Sequence, residues 1–405
     1  MVLDKKKLKE ILAENDVKTT EDLQVFMREM MKEVIETLYE GELEAHLGYK
    51  KHEQNCSFDG NSRNGHTSKK VKSHVGEMEL EVPRDRLSTF SPEIVKKRQT
   101  DISGIEAKVI SMYAKGMSDR DIKEHIYEIY GHEISPETVS VMTDKVLPIA
   151  REWQNRPLEA VYAIIFMDGM VVKLRQDGSV RNVTVYFVIG ISMEGKKSCL
   201  GLYLAETESA KYWLTVMNEL KNRGVSDVFI FAVDNLKGIS EAITAAFPKS
   251  EIQKCVVHQI RNSLRFVPWK ERKTVAADLK KVYAAATEEQ AKAELDKFAD
   301  KWDDKYPNIS KSWRSNWLEL STYFKYSKEL RRLIYTTNPV ESFHSAIRKV
   351  TKTKGSFPTE DALVKLLYLA VTGIEKKWEL VIRDWGVIYS QLYINFEDRI
   401  TGLHS

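Results

Sequence analysis

The sequence predicts a multi-domain α/β protein: a mixed sheet interrupted by an all-helical insertion and preceded by helical domains. Three observations carry this. From Ala160 onward, near-continuous apolar runs alternate with amphipathic helical patterns, as expected of a sheet buried beneath helices. Residues 268–330 show helical spacing, many alanines and no strand signal. Residues 105–153 hold short helical patterns punctuated by caps and a closing glycine. The expected divisions are 1–60, a helical packing, dimerisation or binding unit; 61–103, a basic segment with a short strand; 104–155, a three-helix module; 156–265, the first part of the sheet domain; 266–332, the helical insertion; and 333–405, the second part with C-terminal helices.

Composition narrows the function classes. With 405 residues, 42% of them hydrophobic and 30% charged, the chain can build a full core. A net charge of +3 is small, so any affinity for polyanions has to come from local basic patches. Cys56, Cys199 and Cys255 are odd in number and form no CxxC pair, which argues for a reducing compartment. No apolar run is long enough to span a bilayer, and the N-terminus reads as a charged amphipathic helix rather than a signal peptide. A cytoplasmic protein without a membrane partner is expected.

Taken in order, Lys5 to about Tyr49 is helical. Leu8, Ile11 and Leu12 make one apolar stripe; Leu23, Phe26, Met27, Met30, Met31, Val34, Ile35 and Leu38 make another. Residues 50–75 turn polar, glycine-bearing and basic. Between Asn61 and Val75 the charged residues are Arg63, Lys69, Lys70 and Lys72, with no acid among them. That suits either a solvated surface or a segment tracking phosphates. His52, Cys56, His66 and His74 match no regular zinc spacing. In EMELEV, Met78, Leu80 and Val82 alternate with Glu77, Glu79 and Glu81, giving a short half-buried strand that Pro83 should end. PRDRLSTFSPEIVKK follows as a loop returning to helix.

The 104–155 module has a helix closed by Gly116, a second capped by Ser118 with Asp121 three residues on, and a third opened by Ser135-Pro136 that should run through Trp153. This is the outline of a helix-turn-helix, although three short helices also occur in proteins that never meet DNA. If it binds DNA, the last helix is the reader, with Thr138, Ser140 and Lys145 among its polar positions. Three strands follow, VYAIIFMDGMVVKLR, SVRNVTVYFVIGIS and KSCLGLYLAET, with Gly178 and Gly195 at the turns. Then come an amphipathic helix carrying Trp213, Leu214, Met217 and Leu220, the strand DVFIFAVDN, the helix LKGISEAITAAF and the short strand IQKCVVH. In the insertion, Trp302, Trp313, Trp317, Tyr323 and Phe324 read as packing residues.

Three acidic residues stand out. Asp168 interrupts an apolar strand, Asp234 ends another, and Glu341 falls in the first turn of a helix that Asn338 and Pro339 should open. Ser345, Arg348 and Lys352 follow Glu341 at helical spacing. Each acid has a plainer reading: Asp168-Gly169 as a hairpin turn, Asp234-Asn235 as a strand-end turn, and Asn338 with Glu341 as a capping box. Together, one acid on a first strand, one at the end of a fourth and one on a later helix suit phosphoryl transfer, in which carboxylates hold two hard cations.

The order of three antiparallel strands, then helix, strand, helix, strand, is that of a ribonuclease-H-like sheet. The chain also carries SRNGH, VPRDR, FSPEIVKK, MDG at Asp168, DNLKG at Asp234, CVVHQIRNS at Cys255–Ser263 and TTNPVES at Glu341. These resemble the Mutator-type transposases of bacterial insertion sequences, which use an Asp-Asp-Glu triad on that fold. Asn235 stands where glycine is expected after the second aspartate. The resemblance implies two Mg²⁺ ions, with Mn²⁺ as a substitute, held by Asp168, Asp234 and Glu341. It implies a nucleoid-associated homodimer acting on terminal inverted repeats and target DNA, with Lys237, Arg348 and Lys352 on phosphates and His258 and Asn338 supporting the site. The alternatives are a catalytically inactive DNA-binding repressor with the same fold, and a nuclease without strand transfer.

Overall fold

A computed structural model describes residues 9, 12–51, 60–73, 75–100, 104–130, 134–176, 178–205, 209–335 and 338–401; of Tyr130, Asn338 and Pro339 it describes the backbone only. His52, Cys56 and His74 lie outside these residues. The chain divides into two compact units, 1–144 and 145–405. Among the described residues no helix is long and apolar enough to cross a membrane.

In the first unit, helix α1 (Thr20–Leu47) opens with a capping box between Thr19 and Asp22 and closes on Gly48 in the left-handed conformation. Its packed face differs from the stripe read in the sequence. Ile35, Tyr39, Leu43 and Leu47 are buried, whereas Leu23, Met27, Met30, Val34 and Leu38 are exposed. The reason is the partner. Ile35 and Tyr39 pack on Val71, Met78, Leu80 and Val95, a surface supplied by two strands rather than one.

Those strands are β1 (Arg63–Ser73) and β2 (Gly76–Asp85), an antiparallel hairpin. The basic segment is thus a strand, and Pro83 does not end its partner. Pro83 lies opposite His66 where the register shifts, a place that tolerates a missing N–H. Asp85, just beyond it, is buried and anchors the following loop. It accepts hydrogen bonds from Asn61 Nδ2 (2.8 Å), Thr89 N (2.9 Å) and Phe90 N (3.1 Å). Burial opposes its ionisation, but these bonds outweigh it and hold the carboxyl well below the usual range.

Helices α2 (Ile105–Ala114), α3 (Asp119–Tyr130) and α4 (Pro136–Asp144) follow. Ser118 and Asp121 form a reciprocal cap, and Thr138 N donates to Ser135 Oγ at 3.2 Å. The long last helix of the sequence reading is two helices. α5 (Val146–Asn155) restarts after Lys145, because Pro148 has no N–H to return to the carbonyl four residues back.

The second unit is built on a five-stranded sheet in the order β5-β4-β3-β6-β7. β3 (Val161–Gln176), β4 (Ser179–Ser192) and β5 (Lys197–Ala205) are antiparallel; β6 (Asp227–Val233) and β7 (Glu251–Lys254) run parallel to β3. Helices α6 (Ala210–Asn222) and α7 (Ile239–Ala246) cover one face through Trp213, Val216, Met217, Leu220, Ile239 and Ile243. Leu214, expected in that stripe, is half-exposed. The strand expected over IQKCVVH stops at Lys254, and Cys255 caps helix α8 (Val256–Leu264).

The stretch from Trp269 to Tyr335 is helical throughout: α9 (Trp269–Tyr283), α10 (Glu288–Trp302), α11 (Pro307–Ser315), α12 (Trp317–Leu320), a 3₁₀ turn and α13 (Lys328–Tyr335). Trp302, Trp313 and Tyr323 are buried in it. Each of its three partly or fully buried indoles finds an acceptor: Trp302 on Asp278 (3.0 Å), Trp313 on Ser263 (3.0 Å) and Trp317 on Glu288 (2.9 Å). Helices α14 (Asn338–Thr351), α15 (Glu360–Glu375) and α16 (Trp385–Thr401) return to the sheet, with Phe396 stacked on Phe229 at 4.9 Å.

Gln253 ties the helical stretch to β7. It is fully buried, donates to Leu320 O (3.0 Å) and accepts from Tyr323 N (2.8 Å). Gln253→Leu strands both backbone groups in the core. It is expected to cost about 2–4 kcal/mol in urea unfolding, against under about 0.5 kcal/mol for a surface control such as Lys292→Gln.

Candidate functional site

The parallel pair β3–β6 sets up the site. Its last register pair is Met167 with Val233, and one residue further along each strand are Asp168 and Asp234. Adjacent parallel strands lie about 4.8 Å apart, so two aspartates at matching positions share one location. Asp168 is not in a turn. It lies inside the 16-residue β3, opposite Phe187 of β4. Gly169 is needed for close approach: a Cβ there would come within 2.7 Å of the Tyr186 ring and 2.8 Å of the Thr184 methyl. Beyond Asp234 the chain turns at once, with Leu236 N bonded to Asp234 O at 2.8 Å, and Asn235 fits that turn. Gly238, at φ +83°, closes the loop against Ala210, and Lys237 is exposed in it.

Asp168 is buried, with 4% of its surface exposed, and Gly169 N donates to its Oδ1 at 2.8 Å. Burial, then the charge of Asp234, push its carboxyl up to about 7; His344 and His258 pull the other way. His344 Nδ1 lies 3.4 Å from Asp168 Oδ2. His344 sits on α14, three residues after Glu341. The helix is seated there by Val340, Phe343 and Ile347, all buried. Phe343 meets Phe187 edge-on at 5.0 Å, so the residue paired with Asp168 also positions α14. Burial holds the His344 imidazole below its usual value, and its Nε2 is buried without a partner among the described residues.

Helix α8 supplies the other side. Cys255 N donates to Val233 O at 2.8 Å, which pins the start of α8 beside Asp234. His258 Nδ1 lies 2.5 Å from Asp234 Oδ1. Burial alone would lower the His258 imidazole, but contact with Asp234 and Cys255 outweighs it and raises it to about 10. One turn on, Arg261 Nη1 is 3.4 Å from His258 Nε2, and its Nη2 is 2.5 Å from Glu341 Oε1. The three expected carboxylates are therefore joined as a pair and an outlier. Asp168 and Asp234 adjoin, while Glu341, about two-fifths exposed, has Arg261 as its ion-pair partner among the described residues.

Arg348 and Lys352, with Lys173 and Lys354, line a groove of about 240 Å³ beside Met170–Lys173, the part of β3 that follows Asp168. In the first unit, Arg63 is within reach of Glu40 (4.0 Å) and Glu44 (3.5 Å), Lys72 of Glu77 (3.6 Å), and Lys69 donates to Lys96 O. Lys70, Thr138 and Lys145 are exposed and Ser140 is half-buried. Asn338 is the first residue of α14; its side chain, with Thr336 and Thr337, lies outside what the structure describes, and the expected cap with it. Sequence reasoning missed Arg261 and His344. Arg261 lay within the singled-out CVVHQIRNS, and His344 stands one helical turn from Glu341, which was the available signal.

Comparison with known proteins agrees over nearly the whole chain. A family profile described as "Transposase, Mutator family" matches residues 2–380. The transposase for insertion sequence element ISRM3 of Rhizobium meliloti (strain 1021) is 40% identical over 400 residues, covering 98% of this chain and 99% of that protein. The transposase for IS905 of Lactococcus lactis subsp. lactis (strain IL1403) is 32% identical over 86% of this chain and 88% of its own. The transposase for IS256 in transposon Tn4001 of Staphylococcus aureus is 27% identical over 83% and 84%.

The buried carboxylate has a measurable signature in chelator. Because the folded protein holds the Asp168 proton up to about pH 7, whereas the unfolded chain releases it near 3.8, this group's stabilising contribution is complete below pH 3.8 and is lost as pH rises through about 7. Asp168→Asn removes that loss. The variant should match wild type in thermal unfolding near pH 4 and exceed it at pH 8, by on the order of a few kcal/mol. Parallel stability profiles from pH 4 to 8 would contradict the assignment.

Proposed function

The chain belongs to the Mutator family of transposases, and on that footing we propose that it is a divalent-metal-dependent DNA transposase on a ribonuclease-H-like sheet. The observation that carries the catalytic part is the buried Asp168 with the partly buried Asp234 beside it at the end of the parallel strands, and the Glu341 helix packed over them. Functional sites of open α/β sheets commonly lie outside such strand ends. The strand order supports the fold reading: three antiparallel strands continued by two parallel ones.

The donor set fits a hard cation. Two like-charged carboxylates held together in a buried site repel each other, and a divalent ion relieves that repulsion with the oxygen ligands it prefers. Asp168 and Asp234 would hold the ions, and Glu341 would complete the set after giving up Arg261. Two Mg²⁺ ions, with Mn²⁺ as a substitute, would supply charge to the attacking and leaving oxygens. At an element end a water oxygen bonds to phosphorus as the bond to the 3′-oxygen breaks, leaving a 3′-hydroxyl and a 5′-phosphate. That hydroxyl then gives up its proton and bonds to phosphorus in a second strand, whose own 3′-oxygen leaves. The groove lined by Lys173, Arg348 and Lys352, together with Lys237, would carry strand phosphates past Asp168. The hairpin cations Arg63, Lys69, Lys70 and Lys72, and Thr138, Ser140 and Lys145, would position the terminal inverted repeats. Two ends must be joined, so the working form would be at least a homodimer.

Asp168→Asn, Asp234→Asn and Glu341→Gln are each expected to reduce Mg²⁺-dependent cleavage of element-end DNA to background while binding of that DNA persists. At limiting Mg²⁺, wild-type cleavage should rise with pH, because the metal-free Asp168 carboxyl is held protonated above its ordinary range and must ionise to take up the ion. Cleavage undiminished in all three variants would leave a DNA-binding protein of another kind. Cleavage without joining to a second duplex would leave a nuclease.

A further inference from the structure

Asp234, Cys255 and His258 come from a strand end, a helix cap and the first turn of that helix. Their ligand atoms all lie within 4.8 Å of one another, and among the described residues they are the one group of three such side chains close enough to share an ion. We propose that these three residues form a binding site for a single zinc-class cation, and that a cation held there withdraws Asp234 from the carboxylate pair and switches strand cleavage off. The second half rests on the function proposed above; the first does not.

The chemistry of the set separates it from the Asp168–Asp234 pair. Mg²⁺ takes oxygen ligands, whereas a thiolate with an imidazole selects Zn²⁺ and its neighbours. Ligand atoms on a tetrahedral zinc stand roughly 3.5 Å apart, from bonds of about 2.0–2.3 Å. The group needs only side-chain adjustment to reach that. Oδ1 of Asp234 and Nδ1 of His258 would part from 2.5 Å, and Cys255 Sγ would turn toward them. The backbone is already fixed. Cys255 caps α8, with His258 N 3.4 Å from its sulfur, and Cys255 N is bonded to Val233 O beside Asp234. Asp234 Oδ1 and His258 Nδ1 already meet at 2.5 Å as an ion pair, so a carboxylate oxygen and an imidazole nitrogen converge beside the Cys255 sulfur before any ion arrives.

Binding displaces the thiol proton of Cys255 and any proton on His258 to solvent, while Asp234 enters as carboxylate, so affinity rises with pH. Three protein ligands leave the fourth position to water. A carboxylate turned to this ion is lost to the Asp168 side, and a second dication so close repels any ion there.

Co²⁺, which reports thiolate ligation by a charge-transfer band, is the probe on the full chain. One equivalent should produce the band in wild type. Cys255→Ser should abolish it even though Cys199 and Cys56 remain. His258→Gln should weaken Co²⁺ binding by at least about tenfold. No band, or a band that survives Cys255→Ser, overturns the site. If Cys255→Ser fails to fold by circular dichroism, undiminished binding by His258→Gln overturns it instead. In the cleavage assay, Zn²⁺ added over Mg²⁺ should inhibit wild type, and the half-inhibiting concentration should rise at least about tenfold in Cys255→Ser, each protein scored against its own zinc-free rate. Equal sensitivity overturns the switch. Absence of cleavage in every protein counts against the transposase reading alone, since the cobalt spectrum is read without DNA.

Discussion

Two carboxyl groups forced together where paired parallel strands end govern this molecule. Asp168 is nearly inaccessible to water and lies beside Asp234, because the β3–β6 register ends one residue before both. A bare pair of carboxylates is unfavourable there, and what surrounds it offsets that cost. His344 approaches one carboxylate and His258 the other, and Arg261 extends the chain of cations to Glu341. The arrangement is a charged site balanced by its own side chains.

Packing keeps the pair in place. β3 and β4 are apolar through the centre of the sheet, and Phe187, opposite Asp168, receives Phe343 and His344 from α14. Glu341 thus reaches the sheet through an aromatic contact rather than through the acidic pair. The helical stretch between β7 and α14 is bound to the sheet domain by buried Gln253 and by Trp313, whose indole donates to Ser263 at the end of α8. Helix α8 consequently touches the insertion at one end and Asp234 at the other.

The small net charge of the chain conceals a strong local asymmetry. Lys173, Arg348, Lys352 and Lys354 gather beside the strand segment that follows Asp168, while Arg63 and Lys72 of the β1–β2 hairpin lie within 4.0 Å of neighbouring glutamates. On the function proposed above, the groove cations Lys173, Arg348 and Lys352 would meet backbone phosphates beside the strand segment that follows Asp168.

Local chemistry made much of this legible in the amino-acid order. Apolar runs and glycines marked the five strands and their turns, caps at Ser118 and Ser135 marked helix starts, and the three acids stood out against their surroundings because ionic groups rarely interrupt buried strands. Tertiary contacts decided the rest. Strand pairing turned the polar segment 63–73 into β1, since a hairpin's partner is invisible to period counting. A missing N–H at Pro148 split a helix whose side chains read as continuous. Cys255 left the strand for a helix cap once β7 ended. Whether Glu341 joins the aspartates or pairs with Arg261, and whether Cys255, His258 and Asp234 converge, depends on distances between elements up to 173 positions apart in the chain. Sequence periodicity encodes which face a residue takes on its own element; only the packed fold determines which faces meet.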